Sequence, residues 1–174
     1  MQVLYTLEVG HAKVFEALRA ALEEAKLNDN LANLTDELVR GVVLNQKQLD
    51  ASIQSLIEDW DYERIAAVDK CILRLAAYEL FHCPNVPPVV SINEAIELAK
   101  KYSTADSGKF VNGVLGRLLE KSPKASWNPE NLPKHPQATK KAEKPEPCEE
   151  EDLLETDRVG LWKIRSHALE DPPA

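Results

Sequence analysis

Proline placement constrains this chain more than any other feature. Of 11 prolines, eight lie in residues 121–174, and the other three (Pro84, Pro87, Pro88) sit together in one short cluster. Proline removes a backbone donor and clashes with the preceding helical turn, so long proline-free stretches are where helices can run. Residues 1–83 and 89–122 are such stretches. Their apolar residues recur at three- and four-residue steps, with no alternating strand pattern.

Helices are expected over about 1–9 and 11–26. A third is expected from Thr35, which with Asp36 and Glu37 supplies a cap and early acids, and carries Leu38, Val42, Leu49, Ile53, Leu56 and Ile57 on one face. A richer apolar helix runs from Ile65 to Phe81 and stops at Cys83-Pro84, because proline disfavours helical geometry in the residue before it. Ser91, with Glu94 three residues on, is expected to cap a helix through Tyr102 as a capping box. A last helix spans about 105–119, with Asp106 suited to its dipole and Gly108, Gly113 and Gly116 marking close backbone packing. The expectation is an all-α fold, a compact bundle of about six or seven helices over 1–120. Residues 121–174, rich in Pro, Lys and Glu, are expected to form a disordered tail. Within that tail, 152–169 is apolar enough for a transient helix or for docking.

The wider composition narrows the function. Three cysteines without CxxC spacing suit neither a disulfide framework nor a zinc site, and Cys71, in an apolar helical stretch, reads as a small core residue. That cysteine usage, with no secretory signal and no apolar run near the roughly 20 residues needed to cross a bilayer, points to the cytoplasm and no membrane. His11, His82, His135 and His167 lack any paired-ligand spacing, and no GxSxG, P-loop or GxGxxG occurs. No enzyme, cofactor or metal is therefore expected.

The net charge of −8 argues against a basic coat for nucleic acid. Split along the chain, it says something else. Residues 1–97 hold 8 Lys/Arg against 16 Asp/Glu, whereas 98–121 hold 5 against 2. The one net-positive region also carries Lys101, Tyr102, Lys109, Phe110 and Asn112. Lysine neutralises phosphate, an aromatic stacks on an unpaired base, and Asn reads a base edge. The plainer alternative is a core Phe110 and a solvated lysine face.

Three segments carry a specific resemblance. They are Asp69-Lys70-Cys71-Ile72-Leu73-Arg74-Leu75-Ala76-Ala77-Tyr78-Glu79-Leu80, then Ser91-Ile92-Asn93-Glu94-Ala95-Ile96-Glu97-Leu98-Ala99-Lys100, then Asp106-Ser107-Gly108-Lys109-Phe110-Val111-Asn112-Gly113-Val114-Leu115. In this order they resemble the NusB transcription antitermination family, over residues 1–120 but not the tail. The resemblance implies a helical protein that binds boxA-type RNA of nascent ribosomal RNA transcripts. It implies two partners, ribosomal small-subunit protein NusE and the RNA polymerase antitermination complex. It puts Lys109, Phe110 and Asn112 at the RNA surface, Asp106 at its edge, and Tyr5 and Asp69 at the partner-proximal face. Arg74 is expected to be a paired interior or interface charge, and Glu79 and Asn93 to bridge helices. Some members pair, so a homodimer stays open.

The chain departs from the family pattern in opening at Met1-Gln2-Val3-Leu4-Tyr5, without the Arg-rich segment (RRxARE) that normally precedes this helix. A helix cut mid-pattern lacks a cap, which favours a start assigned too late. The other reading is RNA binding that is weak or partner-dependent. Two further readings are a protein-interaction bundle with weakened RNA binding, and the RNA-binding domain type found in rRNA cytosine methyltransferases. The latter needs a following cofactor-binding domain, and only the proline-rich tail follows here.

Overall fold

The computed structural model describes residues 1–10, 12–57, 62–128, 154–156 and 162–164. The chain divides into two compact units, 1–133 and 134–174. In the first, seven helices follow one another: α1 (Gln2–Gly10), α2 (Val14–Ala25), α3 (Asp29–Leu44), α4 (Gln46–Gln54), α5 (Ala67–His82), α6 (Pro88–Tyr102) and α7 (Ser107–Lys121), with a 3-10 turn at Tyr62–Arg64 before α5. The all-α expectation holds for this unit. In the second unit the described residues are two short antiparallel strands, β1 (Leu154–Thr156) and β2 (Trp162–Ile164), within the tail that was expected to be disordered, with a transient helix or docking as the alternative. The rest of the expected tail beyond Asn128 lies outside the described residues. No helix among those described is long and apolar enough to cross a membrane.

Helix α5 is the axis of the bundle and packs against α1, α3, α4, α6 and α7. Its Cys71, Ile72, Leu73, Ala77 and Leu80 are all but inaccessible and meet Leu49, Ile53, Val111 and Leu115 in the core. Burial pushes the Cys71 thiol up to about 11, as befits an inert core residue.

Two starts differ from expectation. The third helix begins at Asn28, not Thr35: Asn28 Oδ1 accepts from the Leu31 N–H at 2.9 Å, while the Thr35 hydroxyl donates to the Leu31 carbonyl at 2.8 Å inside the helix. The apolar run Leu38–Ile57 is then broken at Asn45, whose side-chain amide donates to the Gly41 carbonyl at 2.8 Å and ends α3. Likewise α6 begins at Pro88 with its preset φ, which suits a first helical position, so Ser91 is an interior residue and forms no capping box.

The α3–α5 crossing is close. A Cβ on Gly41 would stand 2.1 Å from Cζ of Tyr78, whose ring is stacked on His82 at 4.8 Å between centroids. Only a residue without a Cβ fits beneath that ring.

Charge is also buried here. The Arg74 side chain, 8% exposed, donates to both carboxylate oxygens of Asp50 on α4 at 2.6 and 2.9 Å and to Glu8 of α1 at 2.6 Å. Tyr62 donates its hydroxyl to the same Asp50, and burial holds that phenol protonated well above its usual range. The sequence expectation of a paired Arg74 is met, with three hydrogen bonds to two carboxylates.

The packing does not end at the composition break near residue 121. The Lys124 ammonium donates to the Val86 carbonyl at 2.6 Å and the Trp127 indole N–H to the Pro84 carbonyl at 3.1 Å.

Two outcomes follow from these contacts. Gly41→Ala is expected to destabilise the fold by about 1–3 kcal/mol, read as a lowered Tm, and Tyr78→Ala in the same chain should remove most of that penalty. Arg74→Met, which strands two carboxylates that are about a quarter exposed, is expected to cost about 3 kcal/mol in denaturant unfolding.

Candidate nucleic-acid interface

The net-positive segment folds into one corner, where α6 ends and α7 begins. Lys100 and Lys101 occupy the last turn of α6, where their charge opposes the negative end of the helix dipole. The chain then turns through 103–106 into α7. Gly108 brings the first turn of α7 against the last turn of α6: a Cβ there would meet Lys100 Cγ at 3.2 Å. Gly113 and Gly116 differ from expectation. Nothing lies within 4 Å of a Cβ built on either, so they bare the outer face of α7 instead of packing against a neighbour.

Lys109 stands out from this corner, its side chain 89% exposed and its ammonium 4.0 Å from an Asp106 carboxylate that is itself 92% exposed. An ion pair this wet contributes little, and a phosphate can displace it. Asn112 lies one turn further on, also exposed. Lys101 and Tyr102 are exposed together, with the ammonium 5.1 Å from the ring centroid. Lys101, Tyr102, Asp106, Lys109 and Asn112 are thus brought to one corner and its flank.

Phe110 differs: it is half-buried and packed against the core, so much of its ring serves the fold. Tyr5 lies half-exposed on α1, and no hydrogen bond or ion pair among the described residues ties it to the corner.

Asp69, expected at the NusE- and RNA-proximal face, is not exposed for direct contact. It is 6% exposed in the first turn of α5, and its Oδ2 accepts from the Ser107 hydroxyl at 2.8 Å. Its contact with the α6–α7 corner runs through Ser107. Next to it, Lys70 is also buried, with its ammonium 3.4 Å from Glu63 Oε2 and 5.1 Å from the Tyr62 ring. Asn93 is exposed.

Sequence reasoning assigned nothing to Ser103, Thr104 or Ser107, although Ser107 falls inside the quoted motif. Their hydroxyls converge at the α6–α7 turn, and only the run of four small polar positions, Ser103, Thr104, Asp106 and Ser107, hinted at it. No group of three or more potential metal-ligating side chains occurs among the described residues.

The chain and its fold are similar to those of known proteins. The NusB family model matches residues 1–120. A transcription antitermination protein NusB of Acetivibrio thermocellus is 41% identical over 120 residues, covering 69% of this chain and 83% of that protein. Its counterpart in Bacillus subtilis is 43% identical over 118 residues, covering 68% and 87%. Among solved structures, T. maritima NusB superposes with a TM-score of 0.67 at 35% identity, covering 71% of this chain and 87% of that one. A complex of antitermination factors NusB and NusE with dsRNA gives a TM-score of 0.64 at 26% identity, covering 69% and 89%.

The exposures separate two neighbours on α7. Lys109→Ala is expected to leave the thermal melt unchanged. Phe110→Ala is expected to cost about 1–3 kcal/mol, short of the roughly 3–5 of a fully buried ring, with the melt again as the measurement.

Proposed function

The chain belongs to the NusB family, and from that premise we propose that it is a transcription antitermination factor that binds boxA-type RNA of nascent ribosomal RNA transcripts together with the ribosomal protein NusE. Through that pair it joins the RNA polymerase antitermination complex. The observation that carries this reading is the α6–α7 corner, where the chain's one net-positive segment exposes Lys109 and Asn112 on a helix face bared by Gly113 and Gly116. A cation without a competing partner of any strength, an amide able to read a base edge and an unobstructed backbone are what a nucleic-acid strand requires. A chain of the same fold has been solved with NusE and dsRNA, which supports both partners.

The acidic body disfavours non-specific adhesion of RNA, so recognition is expected to be local and to depend on NusE. The test is titration of a boxA-like RNA and a scrambled RNA against the full chain, with and without NusE. With NusE, the boxA-like RNA is expected to bind more tightly than the scrambled one, and Lys109→Ala to lower the salt slope by about one for both. Equal, weak binding of both RNAs in the presence of NusE would overturn the reading in favour of a bundle that binds proteins alone.

A further inference from the structure

Helix α7 has no side-chain cap of its own. Asp106 holds the cap position, yet its carboxylate makes no capping bond and points to solvent beside Lys109. The first turn of α7 is anchored from elsewhere. Ser107, its first residue, is buried, and its Oγ lies 2.8 Å from Asp69 Oδ2, 2.8 Å from Thr104 Oγ1 and 2.9 Å from Ser103 Oγ, with the Thr104 N–H at 3.3 Å.

One proton settles how these contacts run. A serine hydroxyl has a single hydrogen, and a carboxylate oxygen accepts. Asp69 and Ser103 both lie within reach of that hydrogen, and the charged acceptor makes the stronger bond. The proton therefore goes to Asp69, and the two lone pairs of Ser107 Oγ accept from the Thr104 hydroxyl and the Thr104 N–H, with Ser103 Oγ beside them at 2.9 Å. The bonds then point one way, from the α6–α7 turn into Ser107 and from Ser107 into α5, each polarising the next.

We propose that Asp69 and Ser107 are positioning residues for RNA: the hydroxyl relay ending on Asp69 fixes the angle at which the first two turns of α7 present Lys109 and Asn112. The proposal rests on the RNA-binding reading above. Lys109 lies two residues and Asn112 five residues after Ser107, so any rotation of the helix start is passed to both. The two respond differently. A lysine is a point charge on a flexible stem and tolerates a shift. An amide meeting a base edge through two hydrogen bonds tolerates about 0.5 Å. Loss of the relay is therefore expected to reduce discrimination between sequences more than overall affinity, whereas a merely structural role would leave the discrimination ratio unchanged in whatever protein stays folded.

The experiment uses the full chain with NusE, boxA-like and scrambled RNAs, and the variants Ser107→Ala, Asp69→Leu and Asp69→Asn, at a temperature where circular dichroism shows each folded. Ser107→Ala and Asp69→Leu are expected to lose about tenfold in affinity for the boxA-like RNA, the order of one hydrogen bond to a charged group. Both should stay within about twofold for the scrambled RNA, with an unchanged salt slope. Asp69→Asn keeps an acceptor oxygen of the same shape and is expected to retain most of the discrimination. Asn112→Ala should cost less in the Ser107→Ala background than alone. Amide exchange across 103–110 should quicken in Ser107→Ala and stay near the original in Asp69→Asn. If the unmodified protein discriminates and Ser107→Ala discriminates equally well, or if the Asn112 effects add, the positioning role is overturned while RNA binding stands. If the unmodified protein does not discriminate, the RNA reading falls and takes the positioning role with it, even where amide exchange shows the relay holding the corner.

Discussion

The Arg74 guanidinium is the interaction on which the rest of the molecule depends. A buried cation costs several kcal/mol unless its donors are met, and one carboxylate is not enough to meet three directions of N–H. Here Asp50 takes two donors and Glu8 a third, while Tyr62 bonds the same Asp50 from the other side. Helices α1 and α4 and the turn before α5 must therefore be seated together or not at all. This makes the placement of α5 all-or-none, in a way that sliding apolar surfaces alone would not. Asp69 lies on α5 five residues before Arg74, so the far end of the hydroxyl relay inherits that fixed position.

Electrostatics at the corner work over a short range. The body preceding it is acidic, and a phosphate strand approaching from a distance meets net repulsion. At physiological salt, charges more than about 8 Å apart are largely screened when exposed. Close in, Lys101 and Lys109 dominate, joined by the partial positive charge at the start of α7. Such a surface favours a strand delivered to it over one captured from bulk solution, in line with the proposed dependence on NusE.

Much of the fold could be read in the sequence because its signals are local. The stop at Cys83-Pro84 and the apolar face of α5 are set by residues within a turn or two of each other. The misplaced starts share one cause. Thr35 and Ser91 have the right chemistry for caps, but Asn28 and Pro88 come earlier on the same helical faces, and a helix extends to the first residue that can stop it. The site was legible in part. Lys109 and Asn112 were singled out by a recognisable motif, not by spacing, and both stand exposed on α7. The burial of Asp69 was not legible, because whether an acidic residue in a first helical turn faces solvent or a hydroxyl 38 residues away is decided by tertiary packing. For the same reason Gly113 and Gly116 could not be told from Gly41. All three are glycines in helices, and only the Tyr78 ring over Gly41 gives one of them a steric purpose.

The contacts of Lys124 and Trp127 show that the shared family boundary and the physical boundary of the fold are different lines. The family match stops at residue 120, yet two carbonyls of the α5–α6 loop are satisfied by side chains beyond it. That loop carries Pro84 and Pro87 and has few backbone donors of its own to hold it. The residues after 120 thus act as a clasp across the joint between α5 and α6. Trimming the chain to its family-defining length would preserve every recognisable motif and yet open that joint. Homology alone would choose the wrong place to cut.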